Sequence, residues 1–121
     1  MMGAKNSEAL KIIDGLIVEG ADIMTATDDG SSGFHGFISK LLQDNISSIS
    51  PAAIYACGPV QMMKAVAAIV KKEGISCQVS LEERMACGVG ACFGCAVQLS
   101  NGQMARTCVD GPVFFADEIN W

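Results

Sequence analysis

The order of apolar segments places this chain in the α/β class, with a parallel sheet and crossover helices first and a small β-rich unit after it. Three observations lead there. Ala52-Ala53-Ile54-Tyr55-Ala56-Cys57 is an apolar run without alternation, the pattern of a parallel strand covered on both faces. It leads into Val60 to Lys72, apolar at helical spacing, and then into residues 75–81, where apolar and polar side chains alternate. Further on, a stretch dense in glycine and cysteine precedes two short runs flanking Ser100-Asn101-Gly102, and Asn-Gly between such runs signals a hairpin. The expected division is residues 1–80 for the sheet and residues 81–121 for the second unit.

From the start, Ser7 reads as a helix N-cap with Glu8 in the first turn, and Leu10, Ile13 and Ile17 keep a helical period toward Gly20. Leu16-Ile17-Val18 would also suit a strand. Ala21 to Thr27 reads as a buried strand ending in Asp28-Asp29-Gly30-Ser31-Ser32-Gly33, an acidic, glycine-rich turn. Gly36 to Gln43 is an amphipathic helix with Phe37, Ile38, Leu41 and Leu42 on one face, and Asn45 to Pro51 is a polar connector. His35, next to Gly36 at the expected helix start, reads as a cap or surface residue.

Pro59 near the first turn and Gly74 just past the end frame the next helix, with Met62, Val66, Ile69 and Val70 as its apolar face. Ile75, Cys77, Val79 and Leu81 alternate with polar residues as in a half-buried edge strand. Sheets of this kind bind ligands at the carboxyl ends of their strands. Asp28, Asp29, Gly30 and Ser31, together with Cys57, Gly58 and Pro59, are therefore candidate ligand contacts lining one crevice. The plainer reading of the acids is turn chemistry, and that of Cys57 a small core residue.

Cys87, Cys92 and Cys95 are spaced Cys-x4-Cys-x2-Cys, and Cys108 follows after twelve intervening residues. The first three match the plant-type spacing for a [2Fe-2S] cluster. Gly88, Gly90 and Gly94 give the backbone freedom to wrap an inorganic core, and the hairpin would carry Cys108 back beside Cys95. A cluster held by four thiolates is anionic, so Arg84 and Arg106 are candidate counter-charges. A structural zinc site is the alternative, although it more often shows two separate Cys-x2-Cys knuckles. A thioredoxin-like pair would need Cys92 and Cys95 to open a helix, which the flanking glycines oppose. Cys77 is expected in the core. Val109 to Phe115 makes a turn and then offers large apolar side chains, with Phe114, Phe115 and Trp121 covering the second unit or a partner.

Half of the 121 residues are hydrophobic, enough for a packed core, and the formal charge is −5. That balance, with no basic cluster, speaks against nucleic acid and anionic membrane surfaces as partners. No apolar run approaches a membrane span, and the expected location is cytoplasmic.

Glu82-Glu83-Arg84-Met85-Ala86-Cys87-Gly88-Val89-Gly90-Ala91-Cys92-Phe93-Gly94-Cys95 with Cys108-Val109-Asp110-Gly111-Pro112-Val113-Phe114 resembles the iron–sulfur electron-transfer subunit of NAD-dependent, type 1B dihydroorotate dehydrogenases. Ala26 to Ser31 and Tyr55 to Pro59, with Met62 or Met63, resemble its nucleotide-binding lobe, shared with ferredoxin–NADP reductases. The resemblance implies a partial Rossmann-like lobe and a cluster held by Cys87, Cys92, Cys95 and Cys108. It further implies nicotinamide nucleotide facing Asp28 to Ser31 and Cys57 to Pro59, FAD and NAD in the full-length subunit, and an FMN-containing catalytic partner. The flavin-binding barrel and the glycine-rich first turn of the lobe have no counterpart in these residues. The flavin-binding region is thus expected on a missing N-terminal part or on another chain, and no residue here reads as a general acid, base or nucleophile. A related NAD(P)H–flavin oxidoreductase subunit with another acceptor, or a zinc-binding assembly piece, are the competing functions.

Overall fold

The computed structural model describes residues 1–12 and 20–121. They form two compact units, Met1–Ser50 and Pro51–Trp121. In the first, strands β1 (Met2–Ala4), β2 (Thr25–Thr27) and β3 (Phe34–His35) pair in parallel in that order. Helix α1 (Ser7–Leu10) follows β1. Its N-cap is Asn6 rather than Ser7: the extended backbone of Asn6 puts Oδ1 where it accepts from the Ala9 N–H at 3.0 Å. The Ser7 N–H donates instead to Ser31 Oγ at 2.7 Å. Ile13 and Ile17, expected to extend this helix, lie outside the described residues, as does Leu16-Ile17-Val18.

Strand β2 is shorter than the apolar run because its neighbours set its length; the register with β1 runs only from Met2 opposite Thr25 to Ala4 opposite Thr27. Ala21, Asp22 and Ile23 are exposed. His35 sits on β3, exposed, and not at a helix start. Helix α2 (Ile38–Ile49) continues through the residues expected as a polar connector. Ile46 is the reason: it extends the buried stripe of Leu41 and Leu42 by another turn, and the helix stops only where Ser50 turns left-handed at φ 45°. Phe37 is not on that stripe, being the extended N-cap and 70% exposed.

In the second unit, β4 (Ala53–Cys57) leads through Gly58 and Pro59 into helix α3 (Val60–Glu73), which Gly74 closes in the left-handed conformation at φ 68°. Its buried residues are Met63, Val66, Ala67 and Val70, an i, i+3, i+4, i+7 stripe that keeps Val66 and Val70 of the expected face and has Met63 and Ala67 where Met62 and Ile69, both half-buried, were expected. β5 (Ser76–Ser80) pairs in parallel with β4, and β6 (Ala96–Gln98) and β7 (Met104–Arg106) form the expected antiparallel hairpin around Asn101-Gly102. Gly102 has φ 84°, which the turn requires.

The last strand, β8 (Val113–Phe115), runs antiparallel to β5, so the sheet order is β4-β5-β8. β5 is therefore the inner strand and not an edge; its alternation reflects burial of Cys77 and Val79 against partly exposed Gln78 and Ser80. β4, expected to be covered on both faces, is the outer strand, with Tyr55 76% exposed. Phe114 joins Cys77, Val79, Met63, Val66 and Val70 in the core, while Phe115 stays 45% exposed. Trp121 is half-buried, its Nε1–H donating to the Ala116 carbonyl at 2.8 Å. Among the described residues no helix is long and apolar enough to cross a membrane.

Candidate metal centre

Residues 81–112 leave the sheet at the end of β5 and return to it at β8, and the four spaced cysteines lie between. The hairpin fixes two of them. Thr107, fully buried just beyond β7, donates both its backbone N–H (3.1 Å) and its hydroxyl (3.0 Å) to the carbonyl of Cys95. That pair of hydrogen bonds across the base of the hairpin brings Cys108 beside Cys95. The other two lie on the wrap before the hairpin, with four residues between them in the sequence.

Cys87 and Cys92 thus lie on the wrap, and Cys95 and Cys108 at the base of the hairpin. No three or more His, Cys, Asp or Glu side chains among the described residues gather as a single-ion site. Cys95 is buried, Cys87 and Cys108 half-buried, and Cys92 exposed.

Backbone N–H groups turn toward these sulfurs. Those of Val89 and Cys92 pull the Cys87 thiol down to a pKa of about 6, from an ordinary 9.0. Gly94 N–H donates to Cys92 Sγ at 3.4 Å. Cys108 moves the other way: its side-chain bond with Cys95 and partial burial raise its pKa, opposed by the N–H of Gly90. Such a wrap needs left-handed backbone, present at Gly88 (φ 67°), Gly90 (φ 77°) and, without a glycine, Phe93 (φ 56°). Thiols on a wrap and at a hairpin base, ringed by N–H donors that favour thiolate, match the donor set of a two-iron, two-sulfide group.

Arg106, foreseen as a counter-charge, is in place. Its Nη1 donates to the Gly90 carbonyl at 3.2 Å and its Nε to Asp110 Oδ2 at 3.1 Å, and its guanidinium carbon lies 5.4 Å from the centroid of the Phe93 ring. Asp110, through these bonds, is held below the usual carboxylate range. Arg84 is exposed and makes no ion pair among the described residues. Thr107, Phe93 and Asp110 were missed from sequence. None of the three carried a signal, since each gains its role from the turn and hairpin around it.

The other candidate contacts lie at strand ends, as expected. Asp28 to Ser31 follow β2 in the first unit, exposed, and form a self-bonded turn: Asp29 Oδ1 accepts from the Ser31 N–H at 2.9 Å and hydroxyl at 2.6 Å. These bonds lower the Asp29 pKa. Gly30 adopts φ 74° and its Cα faces the His35 ring, leaving no room for a Cβ. In the second unit, Cys57, Gly58 and Pro59 lie exposed between β4 and α3. Cys57 is thus not a core residue, whereas Cys77 is, at 6% exposure.

Residues 82–120 match the profile of the iron-sulfur cluster binding domain of dihydroorotate dehydrogenase B. The electron transfer subunit of dihydroorotate dehydrogenase B (NAD(+)) from Desulforamulus reducens is 40% identical over 124 aligned residues, covering 99% of this chain and 47% of that protein. The probable subunit of the same kind from Thermoplasma volcanium is 47% identical, covering 78% of this chain and 35% of its own length. Among solved structures, an NADH-dependent reduced ferredoxin-NADP oxidoreductase, described in connection with flavin-based electron bifurcation, superposes with a TM-score of 0.77. It is 30% identical, over 98% of this chain and 42% of the other. The chain thus spans less than half the length of these relatives. Over nearly all of its residues it is thus similar to part of the dihydroorotate dehydrogenase B electron transfer subunits, and residues 82–120 match the iron-sulfur cluster binding domain of that enzyme.

Proposed function

We propose that Cys87, Cys92, Cys95 and Cys108 would hold a [2Fe-2S] cluster. The observation that supports this is the hairpin base, where Thr107 bonds the Cys95 carbonyl and so returns Cys108 to Cys95, behind a wrap whose Gly94 N–H turns to Cys92 Sγ. Bound there, the cluster supplies a site that accepts and returns one electron at a time. The chain's own part is to orient four sulfurs, to direct N–H groups at them, and to keep Cys95 away from solvent.

On this reading the protein conducts electrons between an NAD(H)/FAD module and an FMN-containing catalytic subunit that interconverts dihydroorotate and orotate, in the cytoplasm. Residues 1–80 contribute part of the nucleotide-binding lobe and residues 81–121 the cluster-holding region. Asp28 to Ser31 and Cys57 to Pro59, at the carboxyl ends of β2 and β4, are the proposed nucleotide contacts.

Anaerobic isolation tests the first claim: a cluster protein is coloured, contains iron and acid-labile sulfide, and gives a paramagnetic signal after reduction. A colourless, zinc-containing product refutes it. Assay with an FMN-bearing partner tests the second. Orotate-linked NADH turnover supports the dihydroorotate reading, and its absence alongside turnover with another acceptor, such as ferredoxin, overturns it.

A further inference from the structure

The side chain of Arg106 reaches every segment on which a site cysteine sits. Gly90, whose carbonyl accepts from Nη1, lies between Cys87 and Cys92. Phe93, under the guanidinium, lies between Cys92 and Cys95. Arg106 itself precedes Cys108, and its Nε and Nη2 bond the carboxylate of Asp110 on the far side at 3.1 and 3.4 Å. The Asp110 carboxylate also accepts from the Arg106 backbone N–H at 2.8 Å, so the guanidinium is held at its root as well as its tip.

We propose that Arg106 is the positioning residue of the cysteine site, one guanidinium that fixes the three thiolate-bearing segments relative to one another. This rests on the cluster assignment above. The contacts are not explained as a stability device, because an ion pair with a third of each side chain exposed adds little by itself. They do act on backbone that needs support. Phe93 is held at φ 56°, costly for a residue with a Cβ, and that conformation precedes the Gly94 N–H that turns back to Cys92 Sγ. Gly90 has no room to spare either: a Cβ there would stand 2.9 Å from Val109 and 3.1 Å from Arg106 Nη1. Only a planar fork can bond a carbonyl and a carboxylate while stacking on a ring; an ammonium supplies the charge without that geometry. The guanidinium is a permanent cation placed among the segments that carry Cys87, Cys92, Cys95 and Cys108, through Gly90, Phe93 and its own position. It should therefore set the cluster's potential as well as its grip.

The test uses the 121-residue chain reconstituted without oxygen with iron and sulfide, comparing wild type, Arg106→Gln, Arg106→Lys and Asp110→Asn. Loss of visible absorbance to an iron chelator gives the release rate, and a redox titration followed by paramagnetic resonance gives the potential. Arg106→Gln should release iron about tenfold faster and shift the potential downward, because lost positive charge disfavours the more negative reduced state. Arg106→Lys should restore the potential while release stays fast. Release at the wild-type rate in Arg106→Gln overturns the proposal, and so does faster release with an unmoved potential, the mark of a merely structural residue. Should Arg106→Gln fail to fold by circular dichroism, Asp110→Asn decides: freeing the guanidinium from its carboxylate raises the potential and speeds release, and wild-type values for both overturn the proposal. A wild-type chain that takes up no iron or sulfide refutes the cluster assignment itself, an outcome distinct from loaded variants that match wild type.

Discussion

Replacing Thr107 by valine probes the bond that closes the base of the hairpin. Thr107 is 0% exposed, and its hydroxyl and N–H both donate to the carbonyl of Cys95. Valine keeps the shape and removes one donor; the carbonyl retains the other and is not orphaned. The loss is then that of one neutral hydrogen bond, about 1 kcal/mol, or roughly a fivefold change in the unfolding equilibrium. With a urea dependence of about 1 kcal/mol/M for a small protein, the midpoint should fall by about 1 M. Fluorescence of Trp121 reads it, because the single tryptophan is half-buried in the same unit. Thr107→Ser is the control: it keeps the hydroxyl and gives up one methyl, also about 1 kcal/mol. Stability alone does not separate the two variants. Cluster lifetime does, since only the valine loosens Cys108 from Cys95. A Thr107→Val chain that unfolds at the wild-type midpoint, or a Thr107→Ser chain that loses iron as fast as the valine variant, refutes the reasoning.

Three further outcomes are expected. Cys108→Ser should retain little iron after reconstitution, while Cys77→Ser, altered in the core and not at the site, should load as wild type; equal iron contents would break the ligand assignment. In the cluster-free chain, alkylation of Cys87 followed by peptide mass spectrometry should rise with pH around a midpoint near 6, while Cys77, whose pKa burial raises, stays unlabelled through neutral pH. Because the folded state depresses the Cys87 pKa, the thiolate's contribution to stability is fully present above its ordinary value near 9 and is lost as pH falls through about 6. Gly90→Ala forces a Cβ into a left-handed position facing Val109 and Arg106, costing about 1–2 kcal/mol; it should lower the urea midpoint and shorten cluster lifetime together, and a change in neither would contradict the described wrap.

Local signals with a sharp physical cause were legible in the sequence. The cysteine spacing, the Asn-Gly turn and the helix framed by Pro59 and Gly74 each specify a backbone conformation without reference to distant residues. Interactions across the chain were not. β8 looks like a turn followed by bulky side chains because its pairing with β5 is settled by hydrogen bonds such as Leu81 N–H to the Pro112 carbonyl. The same pairing turned the supposed edge strand into an inner one. Short strands β1 and β3 escaped notice because two or three residues carry no measurable period. At the centre, type and spacing alone made the cysteines candidate ligands. The residues that hold them, Thr107, Phe93 and Asp110, have ordinary surface chemistry and acquire a role only once the hairpin brings them there.

The hydrogen bond between Leu81 and Pro112, 2.9 Å long, has a consequence for modularity. The excursion that bears all four thiols departs and rejoins at neighbouring rungs of one ladder, like a bight in a rope whose two ends are lashed together. A short connector could replace most of it without redirecting β5 or β8, because the closure is already made by the sheet. The bight is also tied to the tail beyond β8, where the Ser100 N–H donates to the Glu118 carbonyl at 2.8 Å and the Asn120 N–H to the Gln98 carbonyl at 3.0 Å, so rearrangement inside it reaches that tail as well as the ladder.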